Sequence, residues 1–140
     1  MQILVRAPVF PTEEKNRVAN ALSNLFPESI FTSTQENELI WLEFETTSRS
    51  LLNTLRNMIH ENRIIDAARR ILEKEWTGTR TSIHFDKQVA YKCKLRIAEQ
   101  SDNPPLGSIE VNLALKHETE FYDFLSWFTP PTKDGRIMKS

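Results

Sequence analysis

Three basic side chains alternate with apolar ones in the stretch FDKQVAYKCKLRI, at residues 85–97. Lys92, Lys94 and Arg96 occupy one phase of this alternation. On a β-strand, residues two apart point to the same face and lie about 6.6 to 6.8 Å apart. That distance is near the spacing of successive phosphates in a nucleic-acid backbone. The stretch therefore predicts either the solvated face of a strand or a surface that binds an anionic partner.

The basic side chains of the whole chain are concentrated in its middle third. The formal net charge of the 140 residues is −1, which by itself predicts no affinity for nucleic acid. Residues 56–96 contain ten Lys and Arg against five Asp and Glu, whereas residues 1–55 and residues 97–140 each contain four against seven. The chain therefore has a basic block between two acidic flanks.

A predicted helix just before that stretch adds further cations. Arg69, Arg70 and Lys74 lie on it, interleaved with acidic residues that can pair with them three or four positions away. Lys and Arg contact phosphates, whereas an amide such as that of Gln88 can hydrogen-bond to an unpaired base. The basic block thus predicts either a nucleic-acid surface or a set of surface ion pairs. The candidate binding residues are Arg69, Arg70, Lys74, Lys87, Gln88, Lys92, Lys94 and Arg96.

Other kinds of site lack a recognisable pattern in this sequence. His60, His84 and His117 are isolated from residues that would complete a metal-ligand motif. The three glycines form neither GxxxxGK nor GxGxxG, so no loop is predicted to hold a nucleotide phosphate. Cys93, the only cysteine, is predicted to be a small core residue. We therefore expect a non-catalytic protein with no metal and no cofactor.

Hydrophobic periodicity predicts six strands and four helices. A period of two, or a short apolar run, predicts strands at residues 2–9, 29–33, 39–45, 81–86, 89–98 and 108–115. Helical spacing predicts a first helix that ends before Pro27, two helices between residues 48 and 76, and a last one at residues 117–128. The loop between the second and third strands is predicted to be longer than two residues, and the third strand to be covered on both faces.

These elements predict one α+β domain at residues 1–140, in the order β-α-β-β-α-α-β-β-β-α. Because hairpins are mixed with helices, we expect a mostly antiparallel sheet with helices packed on one face. No window approaches the ~18 apolar residues that span a bilayer, and the first residues do not resemble a signal peptide. We therefore expect a cytoplasmic protein that does not bind membranes.

Four ordered sequence blocks resemble those of an uncharacterised archaeal protein family of about this length. The blocks are RIIDAARRIL (63–72), FDKQVAY (85–91), PLGSIEV (105–111) and DFLSWFTPPTKDG (123–135). With the opening strand and the PTE turn, the resemblance covers nearly the whole chain. The blocks single out Arg63, Asp66, Arg69, Lys87, Gln88, Tyr91, Thr132, Asp134 and Gly135.

The resemblance implies RNA binding, and a fold similar to that of the fifth protein of the large ribosomal subunit. We therefore expect a non-catalytic RNA-binding protein that contacts phosphates through a basic face of the sheet and the adjacent helix. The alternative is a protein-interaction or homodimerisation module, in which an exposed strand edge or the aromatic last helix pairs with a copy or a partner.

Overall fold

A five-stranded antiparallel sheet forms the centre of the protein. The structure is a computed structural model that describes residues 1–99, 107–133 and 136–137. The strands lie in the order β2-β3-β1-β5-β4, and every neighbouring pair is antiparallel. Their bounds are β1 Gln2–Val9, β2 Thr32–Glu36, β3 Leu39–Thr46, β4 Arg80–Asp86 and β5 Ser108–Ala114.

The remaining elements are helices and one small hairpin. The α-helices are α1 Lys15–Leu25, α2 Asn53–Glu61, α3 Ile65–Glu75, α4 Lys87–Ala90 and α5 Glu118–Phe128, with a 3-10 turn at Arg49–Leu52 leading into α2. The hairpin consists of β6 Thr132–Lys133 and β7 Arg136–Ile137. Across the described residues, no helix has both the length and the apolar content needed to cross a bilayer. Residues 100–106, 134–135 and 138–140 lie outside the described residues, so the expectations for Asp134 and Gly135 fall outside them too.

The core forms on one face of the sheet because the strand register aligns the apolar phases. Val5 of β1 lies opposite Phe44 of β3 and Val111 of β5, and Val111 lies opposite Ile83 of β4. All four side chains are buried together with the apolar faces of α1, α2, α3 and α5. Each such side chain contributes roughly 1.5 to 3 kcal/mol of burial free energy. The predicted α+β class, with its sheet and helices in the expected order, is confirmed.

The hairpin between β2 and β3 is tighter than predicted. Only Asn37 and Glu38 connect the two strands, and both have positive φ angles, of 53° and 63°. A two-residue turn with positive φ matches the twist of the strands it joins, and Asn adopts such angles readily. The prediction of a longer loop is therefore wrong. The prediction that β3 is covered on both faces is also wrong, because only Leu42 and Phe44 are buried.

The strand predicted at residues 89–98 is reduced to one bridge. Asp86 begins α4 by accepting a hydrogen bond from the backbone N–H of Val89, at 3.1 Å. A turn follows, in which Cys93 has a φ angle of 56°. Only Ile97 pairs with a strand, as a bridge to Phe85 of β4. Lys92, Lys94 and Arg96 therefore do not lie on one face of a regular strand.

Cys93 is exposed, so its predicted place in the core is wrong. The alternation in the sequence does match the burial of Tyr91, Leu95 and Ile97, which are half-buried. Cys93 departs from it because the chain reverses direction at this residue. Its positive φ angle is the local sign of that reversal.

Gly107 and Gly78 provide a matched test of the packing at the end of β1. Both have positive φ angles, so an alanine at either position carries about 1 kcal/mol of backbone strain. At Gly107 a Cβ atom would also lie 2.8 Å from Cγ of Pro8, whereas at Gly78 it would meet nothing within 4 Å. We expect Gly107→Ala to lower the unfolding free energy by about 1–3 kcal/mol more than Gly78→Ala, measured by denaturant titration. Equal losses would contradict the close approach to Pro8.

Candidate nucleic-acid interface

Lys87, a predicted binding residue, is buried in the protein. None of its side chain is exposed, and its Nζ donates to the carbonyl oxygen of Pro8 and to Oε1 of Glu13, both at 2.7 Å. Burial lowers the pKa of Lys87, and the carboxylate of Glu13 opposes that shift. The prediction that Lys87 belongs to an exposed basic surface is therefore wrong. The buried ammonium is tolerated because both acceptors remain close to it.

Glu13 joins Lys87 to two further segments of the chain. Its Oε1 accepts a hydrogen bond from the backbone N–H of Phe10, and its Oε2 accepts one from the hydroxyl of Tyr91, at 3.0 and 3.1 Å. Burial, and secondly the negative charge of Glu13, raises the pKa of Tyr91 to about 12. Because its hydroxyl is bonded and its ring half-buried, Tyr91 has little surface to offer a base.

Arg69 is also engaged within the protein. Its guanidinium donates to the carbonyl oxygens of Thr129, at 2.8 Å from Nε, and of Pro130. Its neighbour Asp66 accepts a hydrogen bond from the hydroxyl of Thr132. Two of the family-like blocks, at residues 63–72 and 123–135, therefore meet in space through side chains that bind backbone and hydroxyl groups. The predicted role of Arg69 in phosphate contact is not supported by this placement.

Two more side chains from α2 bind the end of α5 beside Arg69. Arg56 donates from Nε to the carbonyl oxygen of Trp127 at 2.6 Å, and Nε2 of His60 lies 2.9 Å from that of Phe128. The last carbonyl groups of a helix lack partners within the helix and carry partial negative charge. The end of α5 is thus capped by side chains from α2 and α3.

The open face of the sheet carries more acidic than basic groups. Arg6 of β1 lies opposite Glu43 on one side and Glu110 on the other, and it pairs with Glu36 at 3.1 Å. Side chains two apart on a strand share a face, so the strand register identifies which charged groups lie on the open face of the sheet. Its carboxylates belong to Glu36, Glu43, Glu45, Asp86 and Glu110, and its guanidinium groups to Arg6 and Arg80. The prediction that the sheet face is basic is therefore wrong.

The exposed cations instead follow the edge of the sheet at β4. Lys92 and Lys94 are exposed on the turn after α4. The chain then runs beside β4, where the N–H of Asp86 donates to the carbonyl of Arg96, and the N–H of Ala98 to that of His84. Such a segment, from residue 94 to 98, spans at most about 14 Å. We call the set Arg70, Lys74, Lys92, Lys94 and Arg96 the edge strip.

One member of the edge strip is partly paired, and two further side chains lie near the turn. Arg96 is 54% exposed and pairs with Asp86 at 3.1 Å, so its charge is partly neutralised. Gln88 is exposed on α4, close in the chain to Lys92. Arg17 of α1 was not predicted, although its guanidinium lies 5.6 Å from the ring centre of Tyr91, next to that turn. No local pattern connects Arg17 to the turn, because this proximity depends on how α1 packs against α4.

Arg70 and Lys74 line a groove at the other end of the strip. This groove, of about 560 Å³, lies between α3 and residues 98–99, above β4. Ser82 and His84 of β4 form its floor with Ala98, and Nδ1 of His84 lies 3.0 Å from Oγ of Ser108. Glu75 and Glu99 also line it. Within residues 1–99, 107–133 and 136–137, no cluster of three or more His, Cys, Asp or Glu residues is arranged to hold a metal ion.

The surfaces named for the protein-interaction alternative differ in exposure. Phe121, Phe124 and Phe128 of α5 are buried in the core, so the aromatic face of the last helix is not open to a partner. By contrast, every residue of β2 is exposed, and Ile30 just before it is 86% exposed. An unprotected edge strand of this kind is a site where another chain can pair.

Comparison with known proteins gives one consistent result. A family model described as RNA binding matches residues 2–115. The UPF0201 proteins of Pyrococcus abyssi and Sulfolobus acidocaldarius are each 34% identical over 134 residues, which cover 96% of this chain and 93% and 90% of those proteins. A crystal structure of a UPF0201 protein from Methanococcus jannaschii is 28% identical and has a TM-score of 0.83, covering 99% of this chain and 100% of that one.

Arg69 and Arg70 are adjacent, which makes them a matched pair for separating stability from binding. We expect Arg69→Ala to lower the unfolding free energy by about 1.5–3 kcal/mol, because two carbonyl groups would be left without a charged donor. Arg70 is exposed, so Arg70→Ala should change that free energy by less than about 0.5 kcal/mol. Both changes in unfolding free energy are to be measured by urea unfolding followed by circular dichroism. A larger effect for Arg70→Ala would contradict the assignment of Arg69 as the cap.

The bond between Tyr91 and Glu13 predicts a pH dependence of stability. The pKa of Tyr91 in the folded protein, about 12, is higher than its ordinary value near 10. The folded state therefore holds this proton more tightly, and the associated stability is present below about pH 10 and disappears between about pH 10 and 12. We expect the unfolding free energy of the wild type to fall more steeply over that range than that of Tyr91→Phe. Parallel curves for the two proteins would show that Tyr91 titrates normally.

Proposed function

The chain belongs to the archaeal UPF0201 family, and we propose that it is an RNA-binding protein whose edge strip contacts the phosphates. The observation that carries this proposal is the match to the family model described as RNA binding, at residues 2–115. That range includes every residue of the edge strip. The description of the family names binding and no reaction, which supports a non-catalytic role.

The physical support is the exposure of the edge-strip cations. Lys92 and Lys94 project from a turn, and Arg70 and Lys74 from one face of α3, with Arg96 between the two pairs. Lys and Arg in such positions attract the phosphate backbone without reading its sequence. The exposed amide of Gln88 offers a hydrogen bond to a base beside the turn. Lys87 and Arg69 are left out of the proposed site because both bind groups within the protein.

The shape of the charge distribution also restricts how RNA would lie. Phosphates are repelled by the carboxylates of the open sheet face, so the RNA strand would follow the β4 edge and touch that face only at its margin, at Ser82 and His84. The binding surface is therefore narrow and suits a single strand. In keeping with the sequence resemblance, we infer a fold like that of the fifth large-subunit ribosomal protein, and a cytoplasmic location where RNA is available. The one-sided packing of helices on an antiparallel sheet supports that likeness.

Charge reversal on the turn tests the proposal directly. We expect Lys92→Glu/Lys94→Glu to weaken binding of a short labelled single-stranded RNA by about tenfold or more, measured by fluorescence anisotropy. The slope of log affinity against log salt should also become shallower by about 0.7 for each phosphate that the variant no longer neutralises. Both side chains are exposed, so unfolding curves should match the wild type.

The control is Arg63→Glu/Lys116→Glu, which changes the net charge equally at two exposed positions outside the strip. This control should keep most of the RNA affinity. An equal reduction in both double variants would mean that only net charge matters, and the edge strip would then not be the site. If sedimentation shows a salt-insensitive dimer that no RNA shifts, the interaction module with β2 as its pairing edge is the better account.

A further inference from the structure

The groove at the α3 end of the edge strip differs from the rest of that strip in being concave. Its volume, about 560 Å³, lies within the range of sites that enclose a small ligand. Lys92 and Lys94 do not line this groove and are exposed on the turn. A strand that follows the edge strip would therefore pass from an open surface into a bounded one.

The groove is lined by two cations from α3, two hydrogen-bonding side chains from β4 and two carboxylates. Arg70 and Lys74 are four residues apart on α3, so they share one face of the helix. Ser82 and His84 are two residues apart on β4, and the register places both at the β4 margin of the open sheet face, with Glu110 opposite His84. The hydrogen bond between Nδ1 of His84 and Oγ of Ser108 fixes the imidazole and leaves Nε2 for a ligand. The two cations thus border a floor formed by two hydrogen-bonding side chains and the small side chain of Ala98.

We propose that this groove binds the phosphorylated end of an RNA strand, an inference that rests on the proposed RNA-binding function. A terminal phosphomonoester carries about −1.5 to −2 charges near neutral pH, whereas a phosphate within the chain carries one. Arg70 and Lys74 supply two positive charges to one enclosed position, and each lysine of the turn meets one phosphate at a time. The paired cations therefore match a terminal phosphate better than an internal one.

The carboxylates of the groove fit the sugar of the same terminal nucleotide. Glu75 and Glu99 would repel a ligand that is anionic throughout, but a carboxylate accepts hydrogen bonds from hydroxyl groups. A ribose offers a 2′-hydroxyl donor, the group that distinguishes RNA from DNA. We assign the ribose to Glu75, which follows Lys74 directly in the chain. The phosphate of one terminal nucleotide therefore suits the cations of the groove, and its ribose hydroxyl suits the carboxylate.

The test compares RNA strands of one sequence that carry a 5′-phosphate, a 3′-phosphate or hydroxyl groups at both ends. We expect one phosphorylated strand to bind the wild type about tenfold more tightly than the hydroxyl-ended strand, and the two phosphorylated arms identify which end enters. Arg70→Gln/Lys74→Gln should abolish this preference, so that all three strands bind equally, with the lower affinity of an edge strip that has lost two cations. Lys92→Gln/Lys94→Gln should weaken all three strands equally and keep the preference.

Ala98→Leu provides a second variant that alters no charge. The larger side chain would fill the floor of the groove, so the preference for a phosphorylated end should disappear while the edge strip still binds RNA. A 2′-deoxy sugar at the terminal nucleotide should weaken wild-type binding severalfold and leave Glu75→Gln unaffected. If the deoxy strand binds the wild type as tightly as the ribose strand, the assignment of Glu75 to the sugar is wrong.

The outcomes separate this inference from the function on which it rests. Equal wild-type affinity for phosphorylated and hydroxyl-ended RNA would overturn the inference and leave RNA binding intact. Survival of the preference in Arg70→Gln/Lys74→Gln would also overturn it, because the phosphate would then be held elsewhere. Failure of every strand to bind the wild type would refute RNA binding and the inference together.

Discussion

The buried ion pair between Lys87 and Glu13 is the constraint on which the surface of this protein depends. A fully buried ammonium group is costly unless it is paired and hydrogen-bonded, and Lys87 finds its acceptors in Pro8 of β1 and in Glu13 of the segment between β1 and α1. To reach them, the chain must leave β4 at Asp86 and form α4 at once. That helix places the following turn, with Lys92 and Lys94, at the edge of the sheet. A residue buried inside the protein thus decides where the exposed cations lie.

A second set of cations is used to end α5. Arg56, His60 and Arg69 bind carbonyl groups that the helix leaves unpaired, so three basic side chains serve the fold and are unavailable to a ligand. The same arrangement accounts for two of the family-like blocks. Residues 63–72 and 123–135 are far apart in the sequence, but they meet where α3 packs against the end of α5. Their shared pattern therefore reflects a structural requirement as well as any function.

Setting these structural cations aside leaves a smaller and more defined basic surface. The sheet face that the sequence alternation predicted to be basic is acidic. The exposed lysines and arginines lie instead along the edge at β4, on either side of Arg96. Under the proposed function, this separation would attract an RNA strand to the edge and repel it from the carboxylates of the neighbouring face. Such an edge would orient its ligand, which a uniformly basic face would not do. It would also lead the RNA toward the end of the strip where the groove lies.

The sequence by itself determined the α+β class, the positions of most helices and strands, and the exposure of Lys92, Lys94 and Arg96. Periodicity carries that information because it reports which side of a local element faces the core. The tertiary structure alone decided which cations remain available, since Lys87 pairs with Glu13, and Arg69 with the end of α5, across long sequence separations. It also decided that residues 89–98 form the end of a short helix, a turn and a bridge, because the burial of Lys87 outweighs local alternation. The residue type fixes the charge of a side chain, but its partner depends on which groups, distant in the sequence, are buried together in the fold.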